Sequence, residues 1–248
     1  MKNTGRNNAM NIKRLVPDSL TCCNLLCGAV ATYMATQQEF LFAFLLILTG
    51  AVFDFFDGAS ARLLKVPSPI GVELDSLADD ITFGLAPSMM LCCYLHPFIG
   101  WWSLLALLMA AFSALRLAKF NLDKRQTSSF IGLATPPNAI FWASLTCIPE
   151  PAAMPLWMPW TLIAISFVSC FLLISEIPFF GLKFHSLKWQ DNKRAYLFLI
   201  GCIIIIVFCV VRACQLGHPR LAAMAGCACI LWYVLYNVIT QPRRNENN

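Results

Sequence analysis

Four aspartates carry the chemistry that this sequence could perform: Asp54, Asp57, Asp75 and Asp79. Asp54, Asp57, Gly58 and Ala61 fall at i, i+3, i+4 and i+7, which is one face of a helix. Gly71, Asp75 and Asp79 fall at i, i+4 and i+8, again one face. Between the two runs lies Val66-Pro-Ser-Pro69, where Ser68 suits an N-cap and Pro69 a first helical position. Two helices joined this way are expected to run antiparallel with their acidic faces able to meet. An ionised aspartate deep in a membrane helix costs about 2.5–3.5 kcal/mol on insertion scales, so four cost on the order of 10 kcal/mol. Arg62 offsets one charge, and divalent cations are the natural counter-ions for the rest. Carboxylate oxygens in this number suit Mg²⁺, Mn²⁺ or Ca²⁺ rather than zinc. Gly58, Ala61 and Gly71 keep the helix surfaces low, so that a bulky group could approach the cations.

The elements that must position these residues are membrane helices. The chain has 248 residues, 58% of them hydrophobic and 12% charged, about half the charged share of a soluble domain. Apolar runs of spanning length recur from Leu20 almost to the C-terminus, with no soluble block of domain size left over. The expected architecture is an all-α integral membrane protein, one polytopic helical bundle with about eight transmembrane helices, within which a six-helix catalytic core is possible. The spans are expected near 18–36, 40–60, 77–96, 98–118, 137–149, 155–175, 196–213 and 220–240, the fifth being short and bracketed by prolines. The division is a segment 1–17, a region 18–149 holding the acidic motif, further helices over 150–240, and a tail 241–248.

Charge placement orients this bundle. Eight spans put Lys2, Arg6, Lys13, Arg14, Arg62, Lys65, Arg116, Lys119 and the basic residues within 124–125, 183–194 and 243–244 on one side. The other side carries Arg212 and Arg220. The positive-inside bias then makes both termini and the acidic site cytoplasmic, in a cell membrane (the inner membrane if the source is bacterial). Trp101, Trp102, Trp157 and Trp160 flank the opposite loops, where indole rings favour the headgroup layer. The run Leu20–Ala35 is long for a signal peptide and is expected to stay as the first span.

Other features carry less. The net charge of +5 follows from cytoplasmic-loop bias, and no basic run is long enough for nucleic acid. Most of the 12 cysteines sit in apolar runs, and the pair Cys227 and Cys229 has no histidine at zinc-site spacing. Asp80 is rotated by about 100° from the Asp75 and Asp79 row and falls outside the metal ligands. His96, His185 and His218 fall in separate loops.

The full pattern reads D-x-x-D-G-x-x-A-R, eight residues, then G-x-x-x-D-x-x-x-D. It resembles the signature of the CDP-alcohol phosphotransferase family at every fixed position. Further stretches are similar to the family's phosphatidylserine synthase branch: Pro17–Gly28, Glu73–Pro87, Arg116–Asn121 and Gly132–Asn138, with Lys119 and Ala134 departing from that branch. The resemblance implies a two-metal centre of Mg²⁺ or Mn²⁺ on Asp54, Asp57, Asp75 and Asp79, with Asp79 also the base. It implies that Gly58, Ala61 and Gly71 border the cytidine nucleotide, with Arg62 ordering the charged site. The substrates implied are CDP-diacylglycerol and L-serine, and a homodimer is implied.

For the acceptor, serine needs an anion-binding group, and Arg116 is suited to a bidentate carboxylate contact, with Lys119 and Asn121 as neighbouring candidates. These three residues could equally hold lipid phosphate or mark cytoplasmic charge. Two alternatives stay open. Another CDP-alcohol transferase, making phosphatidylglycerophosphate or an inositol lipid, would share the acidic motif. A cation transporter would also place acids in a membrane, though spread between related halves rather than on one helix pair.

Overall fold

The computed structural model describes residues 4–65, 69–122, 130–148, 154–155, 157–179 and 193–240. The expected basic residues in 124–125, 183–188 and 243–244, with Ser68 and His185, lie outside these residues. Among the described residues the fold is all-α, apart from a two-residue antiparallel pairing of Phe130–Ile131 with Pro178–Phe179.

Helix α1 (Thr4–Thr36) and helix α2 (Phe40–Leu64) form a long hairpin. Helix α1 begins 14 residues ahead of the expected span edge, counting from Thr4 to 18. Pro17 lies within it and does not end it. Helix α2 stops at Lys65, which turns left-handed at φ 53° and caps the Ala61 and Arg62 carbonyls with its N–H. Helix α3 (Pro69–Asp79) starts on the proline expected at its first position. It runs through a π-helical turn (Asp80–Leu85) into α4 (Ala86–Ile99).

Gly100, at φ 54° and ψ −133°, ends α4, and a 3₁₀ segment (Gly100–Leu107) leads into α5 (Leu108–Leu122). Without that break the apolar run Ile70–Leu122, 53 residues long, would make one helix of about 80 Å. The hydrocarbon core is about 30 Å thick. Instead the run folds back, and α5 packs against the π turn.

Helix α6 (Thr135–Thr146) has 12 residues and is about 18 Å long, short for a crossing. It packs on α2, α4 and α9 (Met224–Thr240), and Asn138, Ala139, Trp142, Ala143 and Ser144 are buried on it. A helix apolar on nearly all sides is stable where protein surrounds it, which explains why its sequence reads as a span and its length does not. Helix α7 (Trp157–Ile174) packs on α5, and α8 (Lys193–Leu216) packs on α9.

Among the described residues, six stretches are long and apolar enough to cross a membrane. Their outward faces are apolar: Val168 and Phe171 on α7, and Ile203, Ile204, Val207 and Phe208 on α8 are all exposed. Such a belt belongs in lipid rather than water. The four expected interfacial tryptophans are exposed as well, and Trp102 meets Trp160 at 6.1 Å. Phe40, at the start of α2, packs on Tyr94 near the end of α4. The α1–α2 loop and the Gly100 turn therefore share one end of the bundle, and the acidic ends of α2 and α3 lie at the other.

Candidate active site

The site is assembled on α1, which packs against both α2 and α3. Thr21, Asn24 and Gly28 occupy one face of it at i, i+3 and i+7, continued by Ala31 and Ala35, both fully buried. Small residues along a helix let neighbouring backbones approach closely. At Gly28 the approach is extreme: an added Cβ would lie 2.6 Å from the Cα of Thr82 in the π turn. At Gly50 on α2, an added Cβ would lie 2.7 Å from Thr82 Cγ2 and 2.9 Å from Asn24 Oδ1. Two glycines thus admit Thr82 and Asn24 between α1 and α2.

Across this junction the carboxylates converge. Asp54, Asp57 and Asp75 each bring one oxygen to within 4.8 Å of the others. Asp57 is buried, and Asp54 and Asp75 are half-buried. The Thr21 hydroxyl donates to Asp57 Oδ2 at 2.7 Å. Asp75 Oδ1 is buried with no hydrogen-bond partner. Three carboxylates drawn together, one holding a buried unmet acceptor, fit a hard divalent cation as the missing partner. The two acidic helices meet through these side chains, each supported by α1.

Asp79 is set apart from the other three and is not one of the converging oxygens. It is half-buried at the junction of α3 with the π turn, within electrostatic reach of Asp54 and Asp75. Its Oδ1 accepts a hydrogen bond from Asn24 Nδ2 at 3.2 Å. Asp80 points elsewhere, as its rotation predicts, and lies with Ser113 of α5 around Gly84.

The residues expected at the nucleotide are on the same end. The nearest side-chain atoms to a Cβ added at Gly58 would be those of the Arg62 guanidinium, from 3.4 Å, an ordinary contact with a flexible side chain, so the surface over Gly58 is low. Arg62 is exposed and within electrostatic reach of Asp57. Ala61 and Gly71 are partly exposed on the two acidic helices.

The acceptor candidates separate. Arg116 is 7% exposed, its Nη1 donates to Thr135 Oγ1 at 3.4 Å, and its Nε is buried without a hydrogen-bond partner. Asp79 and Tyr233 are within electrostatic reach of the guanidinium, and Phe120 lies under it with the ring centre 6.0 Å away. Lys119 and Asn121 are exposed, and the Asn121 amide donates to Ser76 Oγ at 2.8 Å. On a helix Asn121 is turned by about 140° from Arg116, which is why the structure does not bring them together.

Four residues near the site were given no role from the sequence: Thr21, Asn24 and Thr135, which lie in the resembling stretches Pro17–Gly28 and Gly132–Asn138, and Tyr233. The available signal was polarity inside apolar runs, since polar groups within spans find partners. All twelve cysteines are free, and no group of possible metal ligands among the described residues includes one. Cys227 donates to the Phe141 carbonyl and Cys229 to the Cys202 carbonyl, consistent with packing roles. His96 lies within α4 rather than in the expected loop, while His218 falls between α8 and the turn that precedes α9; both are exposed.

Comparison with known proteins adds to this geometry. The CDP-alcohol phosphatidyltransferase family profile matches residues 14–236. A Bacillus subtilis (strain 168) protein named CDP-diacylglycerol–serine O-phosphatidyltransferase is 36% identical over 185 residues, covering 72% of this chain and 97% of its own length. One of the same name from Helicobacter pylori (strain ATCC 700392 / 26695) is 34% identical over 129 residues, 51% of this chain and 54% of that one. A third, from Methanocaldococcus jannaschii, is 28% identical over 228 residues, covering 92% and 94% of the two chains.

Proposed function

The chain belongs to the CDP-alcohol phosphatidyltransferase family, and on that premise we propose that it transfers the phosphatidyl group of CDP-diacylglycerol to L-serine, giving phosphatidylserine and CMP. The observation that carries this reading is the convergence of Asp54, Asp57 and Asp75 beside Asp79, with the buried Arg116 within electrostatic reach of Asp79 and its Nε unfilled for an anionic acceptor.

In the reaction, the serine Oγ attacks the lipid-side phosphorus of the pyrophosphate. The bond to the bridging oxygen breaks, and CMP leaves with that oxygen. Asp79 takes the hydroxyl proton as the new P–O bond forms, as a general base within hydrogen-bond reach of the acceptor. Asn24 occupies one Asp79 oxygen and leaves the other for this task. Asp54, Asp57 and Asp75, with Asp79 at their edge, would hold two divalent cations, Mg²⁺ or Mn²⁺. Bound there, such ions neutralise pyrophosphate charge and lower the barrier to CMP departure. An ordinary aspartate is a weak base for an alcohol, with a pKa of about 3.9, so orientation must contribute much of the rate. Gly58, Ala61 and Gly71 leave the helix surfaces low for the cytidine nucleotide, and Arg62 meets its phosphate charge. Arg116 takes the serine carboxylate.

We place the reaction on the cytoplasmic face of a cell membrane, with eight crossings of which the 12-residue α6, enclosed by α2, α4 and α9, makes the short fifth, both termini cytoplasmic and a homodimer as the assembly. Support comes from Arg62, Lys65 and Lys119 at the acidic end and four tryptophans at the other.

The test is CMP release from CDP-diacylglycerol with labelled serine, glycerol 3-phosphate or inositol. Serine is expected to be the acceptor incorporated into lipid, and Asp79→Asn to abolish release in protein still folded in detergent. Incorporation of either other alcohol instead of serine would move the chain to another branch of the family. Absence of CMP release with all three would remove the transferase reading. Full turnover by Asp79→Asn would remove the base assignment.

A further inference from the structure

We propose that Asn24 is a positioning residue for the transfer, its amide holding one oxygen of Asp79 while Gly50 fixes which way that amide points. The inference rests on the reading of Asp79 as the base.

Asn24 is fully buried. Its Nδ2 donates to Asp79 Oδ1 at 3.2 Å, whereas its Oδ1 is buried and accepts no hydrogen bond. The reversed amide would set a carbonyl oxygen against a carboxylate oxygen, which repel, so the environment selects this orientation. Oδ1 is accommodated because residue 50 has no side chain: a Cβ there would stand 2.9 Å from it. The backbone is fixed as well, since the Thr82 hydroxyl donates to the Asn24 carbonyl at 2.9 Å. Asp79 and Thr82 straddle the start of the π turn, so Asn24 is tied on both sides of the change in helix type. Such turns recur at functional sites, and here one sets the aim of Asp79.

A purely structural demand would be met better by an apolar residue of the same shape, which would bury no unmet acceptor. What the amide supplies is control of a carboxylate whose terminal torsion is otherwise broad. With Oδ1 held, the second oxygen of Asp79 keeps a single direction.

The test uses full-length protein in detergent with Mn²⁺, CDP-diacylglycerol and serine. Asn24→Leu keeps the shape and removes the donor. It should lower kcat about 10- to 100-fold, the weight of one hydrogen bond to a charged group, with both KM values changed less than about threefold. Gly50→Ala removes no polar group and should give the same pattern by displacing the amide. The double variant should fall no further than the more damaged single variant, within a factor of about two, since both act through one contact. Mn²⁺ affinity, followed by electron paramagnetic resonance, should weaken by less than about threefold in Asn24→Leu, since Asp54, Asp57 and Asp75 are untouched; a loss as large as that of kcat would overturn the proposal. Should Gly50→Ala fail to elute as folded protein, Thr82→Val takes its place with the same expectation. Wild-type kcat in Asn24→Leu, KM values rising in step with the loss of kcat, or losses that multiply in the double variant would each overturn the proposal. Any of these with Asp79→Asn inactive would leave the base assignment standing and remove Asn24 alone.

Discussion

Replacing Arg116 probes the choice of acceptor. Its side chain is 7% exposed and carries five N–H donors, yet its hydrogen bond among the described residues is a 3.4 Å contact to Thr135 at the long edge of the range. The buried Nε has none. Little of its bonding capacity is therefore committed to the fold, and a bound carboxylate would meet most of it. A hydrogen bond to a charged group contributes about 1.5–3 kcal/mol, and each 1.4 kcal/mol is about tenfold. Arg116→Lys keeps the charge and loses the fork, so one bond goes and the serine KM should rise roughly 10- to 100-fold. Arg116→Met loses both bonds and the charge and should exceed that. The KM for CDP-diacylglycerol should stay within about threefold in both. Initial rates of CMP release, with each substrate varied at saturation of the other, separate the two constants. A raised KM for CDP-diacylglycerol with an unchanged serine KM would refute the reasoning and assign the guanidinium to a lipid phosphate.

Three further outcomes are expected. Gly28→Ala would drive a Cβ to 2.6 Å from the Thr82 backbone and strain the Thr82–Asn24 bond, a loss of about 2–4 kcal/mol from overpacking and one hydrogen bond, read as a lower thermal midpoint in detergent. EDTA should stop CMP release, Mg²⁺ or Mn²⁺ should restore it, and Mn²⁺ should raise the thermal midpoint of the wild type but not of Asp57→Asn. A reporter fused after Asn248 should signal cytoplasm, and the opposite signal would invert the proposed topology.

The aspartates were legible in the sequence because their spacing is a property of single helices, and a helical face needs no knowledge of its neighbours. The proline that opens α3 was legible for the same reason. What escaped depends on more than one element. Thr21 and Asn24 became meaningful once α1 lay against Asp57 and Asp79. The π turn leaves no mark in hydrophobic periodicity, since one shifted bonding register over six residues barely moves the apolar pattern. Lys119 and Asn121 were grouped with Arg116 by proximity in sequence; helical rotation separates Asn121, and Lys119, three residues on, is exposed where Arg116 is buried. Helix α6 has the composition of a span without its length, because it is enclosed by α2, α4 and α9.

The seating of both acidic helices on α1 has a consequence for how the protein is made. Chain synthesis delivers α1 first, then α2 with Asp54 and Asp57, and α3 with Asp75 and Asp79 later. Two carboxylates therefore enter the bilayer before the other two exist. The Thr21 hydroxyl is already in place to receive Asp57, which eases the insertion of the α1–α2 hairpin as a pair. The half-synthesised hairpin has neither Asp75 nor Asp79, so it can neither gather three carboxylates nor supply the proposed base. The proposed base arrives with residue 79 and the proposed acceptor-binding Arg116 later still, both after the α1–α2 hairpin is made, so on this reading nascent chains cannot act on lipid before they are embedded in it.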